Sequence, residues 1–102
     1  MDRIIAFNEI LAQDPANAFA RYGLAMEYAA QGNTDAALAE FATCIAHSAD
    51  YVPAYQMSAQ TMLKLGLTAD ARERLQAGLE AAARTGNAHA ASEMQAMLDD
   101  IE

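Results

Sequence analysis

Cys44 and His47 come nearest to a chemical site in this sequence, because they stand three positions apart and would share one face of a helix. A thiolate and an imidazole both bind zinc, but a structural zinc site needs four ligands and a catalytic site three. The other histidine, His89, lies far along the chain, on a different predicted helix. We therefore expect no metal site, with Cys44 as a packing residue.

Nucleophilic and phosphate chemistry are also unsupported. The five glycines are scattered singly, so there is no glycine-rich loop to hold a phosphate. The serines have no evident base and orienting acid, and the acidic residues are spread over the expected solvent faces. The sequence therefore predicts a protein that is not an enzyme, has no catalytic residues and binds no cofactor.

The charge balance excludes further classes of protein. Six basic residues stand against 14 acidic ones, for a net charge of −8. Nucleic acids and anionic membranes attract cationic surfaces, so we expect neither as a partner. No apolar run reaches the roughly 20 residues of a membrane span, and a single cysteine requires no oxidising compartment. A cytoplasmic location is the expectation.

Residues that start and end helices divide the chain into six predicted helices. The first runs from about residue 2 to 13 and ends before Pro15. Asn17, Thr34 and Thr68 are expected to cap the second, third and fifth helices, and Gly32 and Gly66 to end the second and fourth. The fourth begins around 50–53 and the sixth follows 86–87. With few β-branched residues in the chain, the fold is expected to be all-α.

The helix boundaries and apolar positions repeat every 34 residues. Identical pairs at this spacing include Phe7 with Phe41, Gly32 with Gly66, Thr34 with Thr68 and Ala37 with Ala71. Glycine and threonine are scarce here and fall where one helix stops and the next starts. The pattern indicates a helix-turn-helix repeat.

The repeat resembles the tetratricopeptide repeat family, and in particular its small bacterial-type members. In the first full repeat, Leu24, Ala25 and Tyr28 stand at the Leu, Gly and Tyr positions of the signature, while Ala37 and Phe41 match its Ala and Phe. Arg21 departs from the signature tryptophan. The second repeat matches less well, with Tyr55, Ser58, Ala59, Met62, Ala71, Leu75 and Ala83 at the corresponding positions.

The resemblance implies an α-solenoid of antiparallel helix pairs forming a single domain over 1–102. Its parts would be a half-repeat at 1–15, full repeats at 17–49 and 51–84, and a C-terminal capping helix at 87–101. Phe7 stands at the signature Phe position of the half-repeat, but Arg3 occupies the place of a small alanine.

The resemblance also implies a non-enzymatic protein-interaction module, which binds a peptide or amphipathic helix of another protein in a concave groove. The groove candidates on the second and fourth helices are Phe19, Tyr22, Met26, Gln56, Gln60, Leu63 and Lys64. Aromatic and thioether side chains suit an apolar ligand. The alternative is that the aromatic stripe only packs the N-terminal helix. The basic residues Arg72, Arg74 and Arg84, interleaved with acids, indicate a solvated helix face.

A second function stays open beside the first. The N-terminal helix carries an apolar stripe too wide for one neighbour, and Ile4, Phe7 and Ile10 are its candidate self-association residues, with Phe7 and Ile10 expected to remain uncovered. A homodimer that covers the stripe would make the chain a structural homo-oligomerisation element. The opposing alternative is that the helix tilts and buries the stripe within its own chain.

Overall fold

A computed structural model describes residues 2–101, which form six α-helices and no strand. The helices are α1 (Arg3–Gln13), α2 (Ala18–Ala30), α3 (Thr34–His47), α4 (Val52–Lys64), α5 (Thr68–Thr85) and α6 (Ala88–Ile101). They divide into two compact units, unit 1 over Met1–Ser48 and unit 2 over Ala49–Glu102. The predicted all-α helical-repeat fold is confirmed. No helix among residues 2–101 is both long and apolar enough to cross a membrane.

Two of the three predicted helix caps are wrong. Asn17 caps α2 as expected, since its side-chain oxygen accepts a hydrogen bond from the Ala20 amide at 2.9 Å. At α3, however, the cap is Asn33, which accepts from the Ala36 amide at 3.4 Å, and Thr34 is the first residue of the helix. Asparagine is as good a cap as threonine, so its position one residue earlier decides the boundary.

The fifth helix also begins one residue before the predicted cap. Leu67 is the N-cap of α5 and makes no side-chain hydrogen bond, while Thr68 is the first helical residue. Gly66 and Gly32 just before these starts have φ of +76° and +81°, a conformation that costs glycine little. The repeated Gly-x-Thr pattern therefore marks a glycine in the left-handed conformation, followed two residues later by the first residue of a helix.

Alanine pairs let the helices of each unit approach closely. Ala25 of α2 and Ala37 of α3 are fully buried in unit 1, and Ala59 of α4 and Ala71 of α5 are fully buried in unit 2. A methyl group at a crossing point brings the two backbones close enough for the larger side chains beside it to interlock. The chain thus builds a core from modest apolar bulk.

Large side chains complete the core of each unit. Phe41 in unit 1, and Leu75 and Met94 in unit 2, are fully buried. A smaller cluster joins α1 to α2 through the buried residues Leu11, Ala20 and Leu24, against which Ile4, Phe7 and Tyr28 pack. Phe7 is therefore half-buried against its own chain, which makes it less open than the sequence predicts.

Candidate functional site

The candidate groove residues of α2 differ in how far they take part in the core of unit 1. Phe19 is 65% exposed, and its ring meets the ring of Phe7 edge to face with centroids 6.4 Å apart. Tyr22 is half-buried, with its ring 6.1 Å from that of Phe41, and Met26 is half-buried as well. The contact with Phe7 shows that Phe19 packs on the N-terminal helix yet leaves most of its surface open.

The candidate residues of α4 in unit 2 alternate between half-buried and exposed. Gln56 and Leu63 are half-buried, while Gln60 and Lys64 are exposed. Leu63 of this set lines a cavity. The α4 face is thus a polar surface with an apolar side chain at its C-terminal end.

Leu63 opens onto a cleft of about 350 Å³ that α4, α5 and α6 form within unit 2. The cleft is lined by Leu63, Thr68, Met97, Asp100 and Ile101. Leu63, Met97 and Ile101 are half-buried, so three apolar side chains present accessible surface to the cavity, with the Asp100 carboxylate in its lining. A volume of this size is within the range of sites that take a small ligand or side chains of a partner.

Sequence reasoning missed most of this cleft. It identified Leu63 but not Met97, Asp100 or Ile101. The feature that could have revealed them is the length of α5. This helix has 18 residues against 14 in α3, so α6 is shifted relative to the 34-residue period. In the shifted register Ala90, Met94 and Leu98 turn inward and Met97 faces the cleft.

The residues at the signature tryptophan position make equivalent bonds in the two units. The Arg21 guanidinium donates to the Pro15 carbonyl at 3.0 Å, and the Tyr55 hydroxyl donates to the Ala49 carbonyl at 2.6 Å. Both donors and both acceptors lie 34 positions apart. A long polar side chain therefore replaces the indole by bonding the carbonyl before its helix.

Arg21 also forms an ion pair with Glu40 at 3.1 Å, in which both side chains are about one-fifth exposed (19% and 22%). Its Nε is buried and has no hydrogen-bond partner. Because the guanidinium is mostly withdrawn from water, removing one partner of this pair costs more than breaking a surface ion pair. It holds α2 to α3.

The prediction that the basic residues form a solvated helix face is wrong for Arg74. Arg74 is half-buried and donates from Nη1 to the buried Ser58 hydroxyl at 3.0 Å, and burial lowers its pKa. It lines a second cleft of about 330 Å³ with Met62, Asp70, Glu73 and Ala77. Arg84 does lie at the surface, where its Nε donates to Asp50 at 2.8 Å and Nη2 to the Ala49 carbonyl at 3.1 Å.

The residues considered for metal chemistry are not brought together. Cys44 is buried and its thiol donates weakly to the Ala18 carbonyl at 3.6 Å, whereas His47 is exposed. Burial raises the pKa of the Cys44 thiol, and the nearby charge of Arg21 partly offsets this. Within residues 2–101, no three His, Cys, Asp or Glu side chains are grouped to hold a metal ion.

The self-association candidates of α1 separate into covered and open residues. Ile4 and Phe7 pack on the cluster shared with α2. Phe7 lies across Gly23, where an added Cβ would stand 2.6 Å from Phe7 Cε1. Ile10 is 42% exposed, and Ile5, which was not among the candidates, is 57% exposed.

These features define a helical repeat protein with small-residue crossings, two units of equivalent helices and an open apolar cleft. The tetratricopeptide repeat family profile matches residues 28–98, and the chain belongs to that family. The family is one of protein-interaction folds that are generally without enzymatic activity.

Solved structures show the same fold. A tetratricopeptide repeat domain protein from Salinibacter ruber is 32% identical, with 87% of this chain and 90% of that chain covered and a TM-score of 0.82. The TPR2B domain of yeast Sti1, solved in complex with pHsp70, is 22% identical, with 96% and 78% covered and a TM-score of 0.89. The Yersinia enterocolitica type III secretion translocator chaperone SycD is 19% identical, with 96% and 68% covered and a TM-score of 0.86. No curated protein matches the chain.

Proposed function

We propose that this chain is a non-enzymatic interaction module that binds a peptide or amphipathic helix of another protein. The observation that carries the proposal is the open cleft of about 350 Å³ at Leu63, where Met97 and Ile101 also present apolar surface. An accessible apolar cleft of this kind gives an anchoring side chain of a ligand a place to be buried.

We infer that the ligand contacts one face of the first helix in each pair. On α2 these are Phe19, Tyr22 and Met26, and on α4 they are Gln56, Gln60, Leu63 and Lys64. Methionine adapts its shape and exposed aromatic rings bury a large area, while the amides of α4 can bond a ligand backbone. The Sti1 domain in its complex with pHsp70 supports a ligand of this class.

The proposal includes the repeat boundaries and the cellular location. The half-repeat would span 1–15, the full repeats 17–49 and 51–84, and the capping helix 87–101, together making one domain. A cytoplasmic location agrees with a lone buried cysteine, which needs no oxidising compartment.

A pull-down with quantified follow-up tests the proposal. Proteins captured from the source cell would be identified by mass spectrometry, and the binding segment of the best candidate would be measured by calorimetry. We expect Leu63→Ala and Met97→Ala each to weaken binding by about tenfold, because each removes apolar surface from the cleft. Leu65→Ala is the matched control, since Leu65 is 43% exposed and lies outside the cleft.

Two results would contradict the proposal. If Leu63→Ala, Met97→Ala and Met26→Ala all bind as wild type does while remaining folded by circular dichroism, the ligand does not use these helices. Equal weakening by Leu65→Ala would show a loss that is not specific to the cleft.

The second candidate function is homo-oligomerisation, which is favoured by the exposure of Ile5 and Ile10 on α1. An uncovered apolar side chain gains about 25 cal/mol for each Å² that a second copy would remove from water. Sedimentation velocity over a concentration series distinguishes the two functions. A chain that stays monomeric at high micromolar concentration is not a self-assembly element.

A further inference from the structure

Two positions of the second helix in each pair are covered by the first helix of that pair. In unit 1 these positions are Phe41 and Cys44, which are 0% and 1% exposed. Phe41 lies against the ring of Tyr22, and Cys44 donates to the Ala18 carbonyl, both on α2. The cover is therefore a helix that runs antiparallel to the one it covers.

The same two positions of unit 2 are Leu75 and Gly78 of α5, both buried. Here α4 is part of the cover, because a Cβ placed on Gly78 would stand 2.8 Å from Tyr55 Cβ of α4 and 2.6 Å from Met94 Sδ of α6. Both units thus place a helix over these positions, although the residues differ in size and type.

On α1 the equivalent positions, 34 residues before Phe41 and Cys44, are Phe7 and Ile10. Phe7 packs against α2 at Gly23, but Ile10 is 42% exposed. Phe19, whose ring contacts Phe7, is 65% exposed. These three side chains are here called the edge patch. They are apolar like the covered face of α3, but within residues 2–101 Ile10 and Phe19 stay exposed and Phe7 is only half-buried.

We propose that the edge patch is a docking surface for a basic amphipathic helix of another protein. A helix is the occupant because α2 and α4 cover the equivalent positions of α3 and α5. It would lie on the C-terminal half of α1, since Arg3 replaces the fully buried alanines Ala37 and Ala71 and its long side chain prevents a close crossing there.

The charge of the occupant follows from the ion pairs of unit 1. Both arginines of this unit are already paired, Arg3 with Glu27 and Arg21 with Glu40, each at 3.1 Å. Glu9 and Asp14, which flank Ile10 in the sequence, are exposed and have no ion-pair partner among residues 2–101. Asp14 is held beside the start of α2 by a hydrogen bond from Asn17 at 3.3 Å.

Lysine or arginine residues at the rim of a docked helix would form ion pairs with these carboxylates. A second copy of this chain would instead bring the same carboxylates and a further net charge of −8. Charge complementarity therefore favours a basic partner over a homodimer. The edge patch shares no residue with the cleft at Leu63 and only Phe19 with the proposed contact face of α2. Ile10 belongs to neither, so its substitution distinguishes a failure of this proposal from a failure of the proposed function.

Two designed peptides of 13 residues, the length of α2, serve as probes. Both carry leucines at i, i+3, i+4 and i+7; one has lysine at the remaining positions and the other glutamate. The full chain would be labelled at its isoleucine methyl groups and backbone amides and titrated by NMR. We expect the lysine peptide to shift the Ile10 methyl and the Phe19 amide and the glutamate peptide to leave them unmoved.

Single substitutions then locate the contact. Ile10→Ser and Phe19→Ala should each raise the dissociation constant of the lysine peptide by about tenfold. Ile5→Ser is the matched control, because Ile5 is 57% exposed but about 140° from Ile10 around α1. It should leave the constant unchanged, and all three variants should keep wild-type circular dichroism, since each site is open.

The proposal is overturned if the lysine peptide shifts only residues of the Leu63 cleft, or if the glutamate peptide binds equally well. It is also overturned if no shift occurs, if Ile5→Ser weakens binding as much as Ile10→Ser, or if the wild-type chain self-associates through Ile10. Loss of binding to the natural ligand by Leu63→Ala alone concerns the cleft and leaves these outcomes unaffected.

Discussion

Gly78 lies at a close helix contact in unit 2, and replacing it with alanine measures how much free energy of unfolding is lost when that contact is overpacked. A Cβ at this position would stand 2.6 Å from Met94 Sδ and 2.8 Å from Tyr55 Cβ. The sulfur can move with its flexible side chain, but Tyr55 Cβ is fixed to the backbone of α4. Relief therefore requires a shift of α4 against α5.

The expected magnitude follows from two opposing effects. Alanine in a helix interior is favoured over glycine by about 1 kcal/mol. Overpacking of a close-packed core costs about 1–3 kcal/mol, and the upper part of that range applies where backbone must move. We expect Gly78→Ala to lower the free energy of unfolding by about 1–2 kcal/mol, which corresponds to a fall in Tm of about 5–10 °C.

Gly23→Ala is the matched comparison in unit 1. Its Cβ would meet the Phe7 ring, with Cε1 and Cε2 2.6 and 2.8 Å away, but this ring is half-buried and can swing toward solvent. The helix-propensity gain should offset most of the cost, leaving stability within about 1 kcal/mol of wild type.

Urea denaturation followed by far-ultraviolet circular dichroism, with thermal melts in parallel, measures both variants. If the free energy of unfolding falls with urea concentration at the same slope in wild type and variants, the midpoints report stability rather than a change in the unfolded state. The reasoning is refuted if Gly78→Ala is as stable as wild type, or if Gly23→Ala is the more damaging of the two.

Two further predictions concern unit 1. Because burial raises the pKa of Cys44 above its ordinary value of 9.0, the folded chain keeps a proton that the unfolded chain has lost, so stability should fall as pH rises above about 9. Urea midpoints over a pH series should show this extra loss in wild type but not in Cys44→Ala; parallel profiles would contradict it. Glu40→Ala leaves the Arg21 guanidinium withdrawn from water without its carboxylate and should cost about 1–3 kcal/mol. Adding Arg21→Met should recover part of that loss in a double-mutant cycle, and strictly additive losses would show that the pair is uncoupled.

The positions of the helices could be read from the residues alone. Glycines that adopt positive φ, an asparagine cap at α2 and apolar side chains at helical spacing act over a few neighbouring residues, so their effect is visible in sequence. The capping errors at Thr34 and Thr68 are errors of one position, because adjacent residues compete to end the same turn. Repetition at 34 residues then predicts which helices pair.

The tertiary structure decided which polar and apolar side chains are accessible. Arg74 looked like part of a solvated face, yet it bonds the buried Ser58, while Arg21 fills the tryptophan position by pairing with Glu40. Phe7 and Ile10 belong to one apolar stripe, but Ile10 is exposed whereas Phe7 is half-buried, because Gly23 has no Cβ and leaves room for the end of the Phe7 ring on α2. Burial depends on residues that are distant in sequence. The size of the side chains at the helix crossings sets how closely two helices approach, and the local sequence pattern of one helix does not determine that distance.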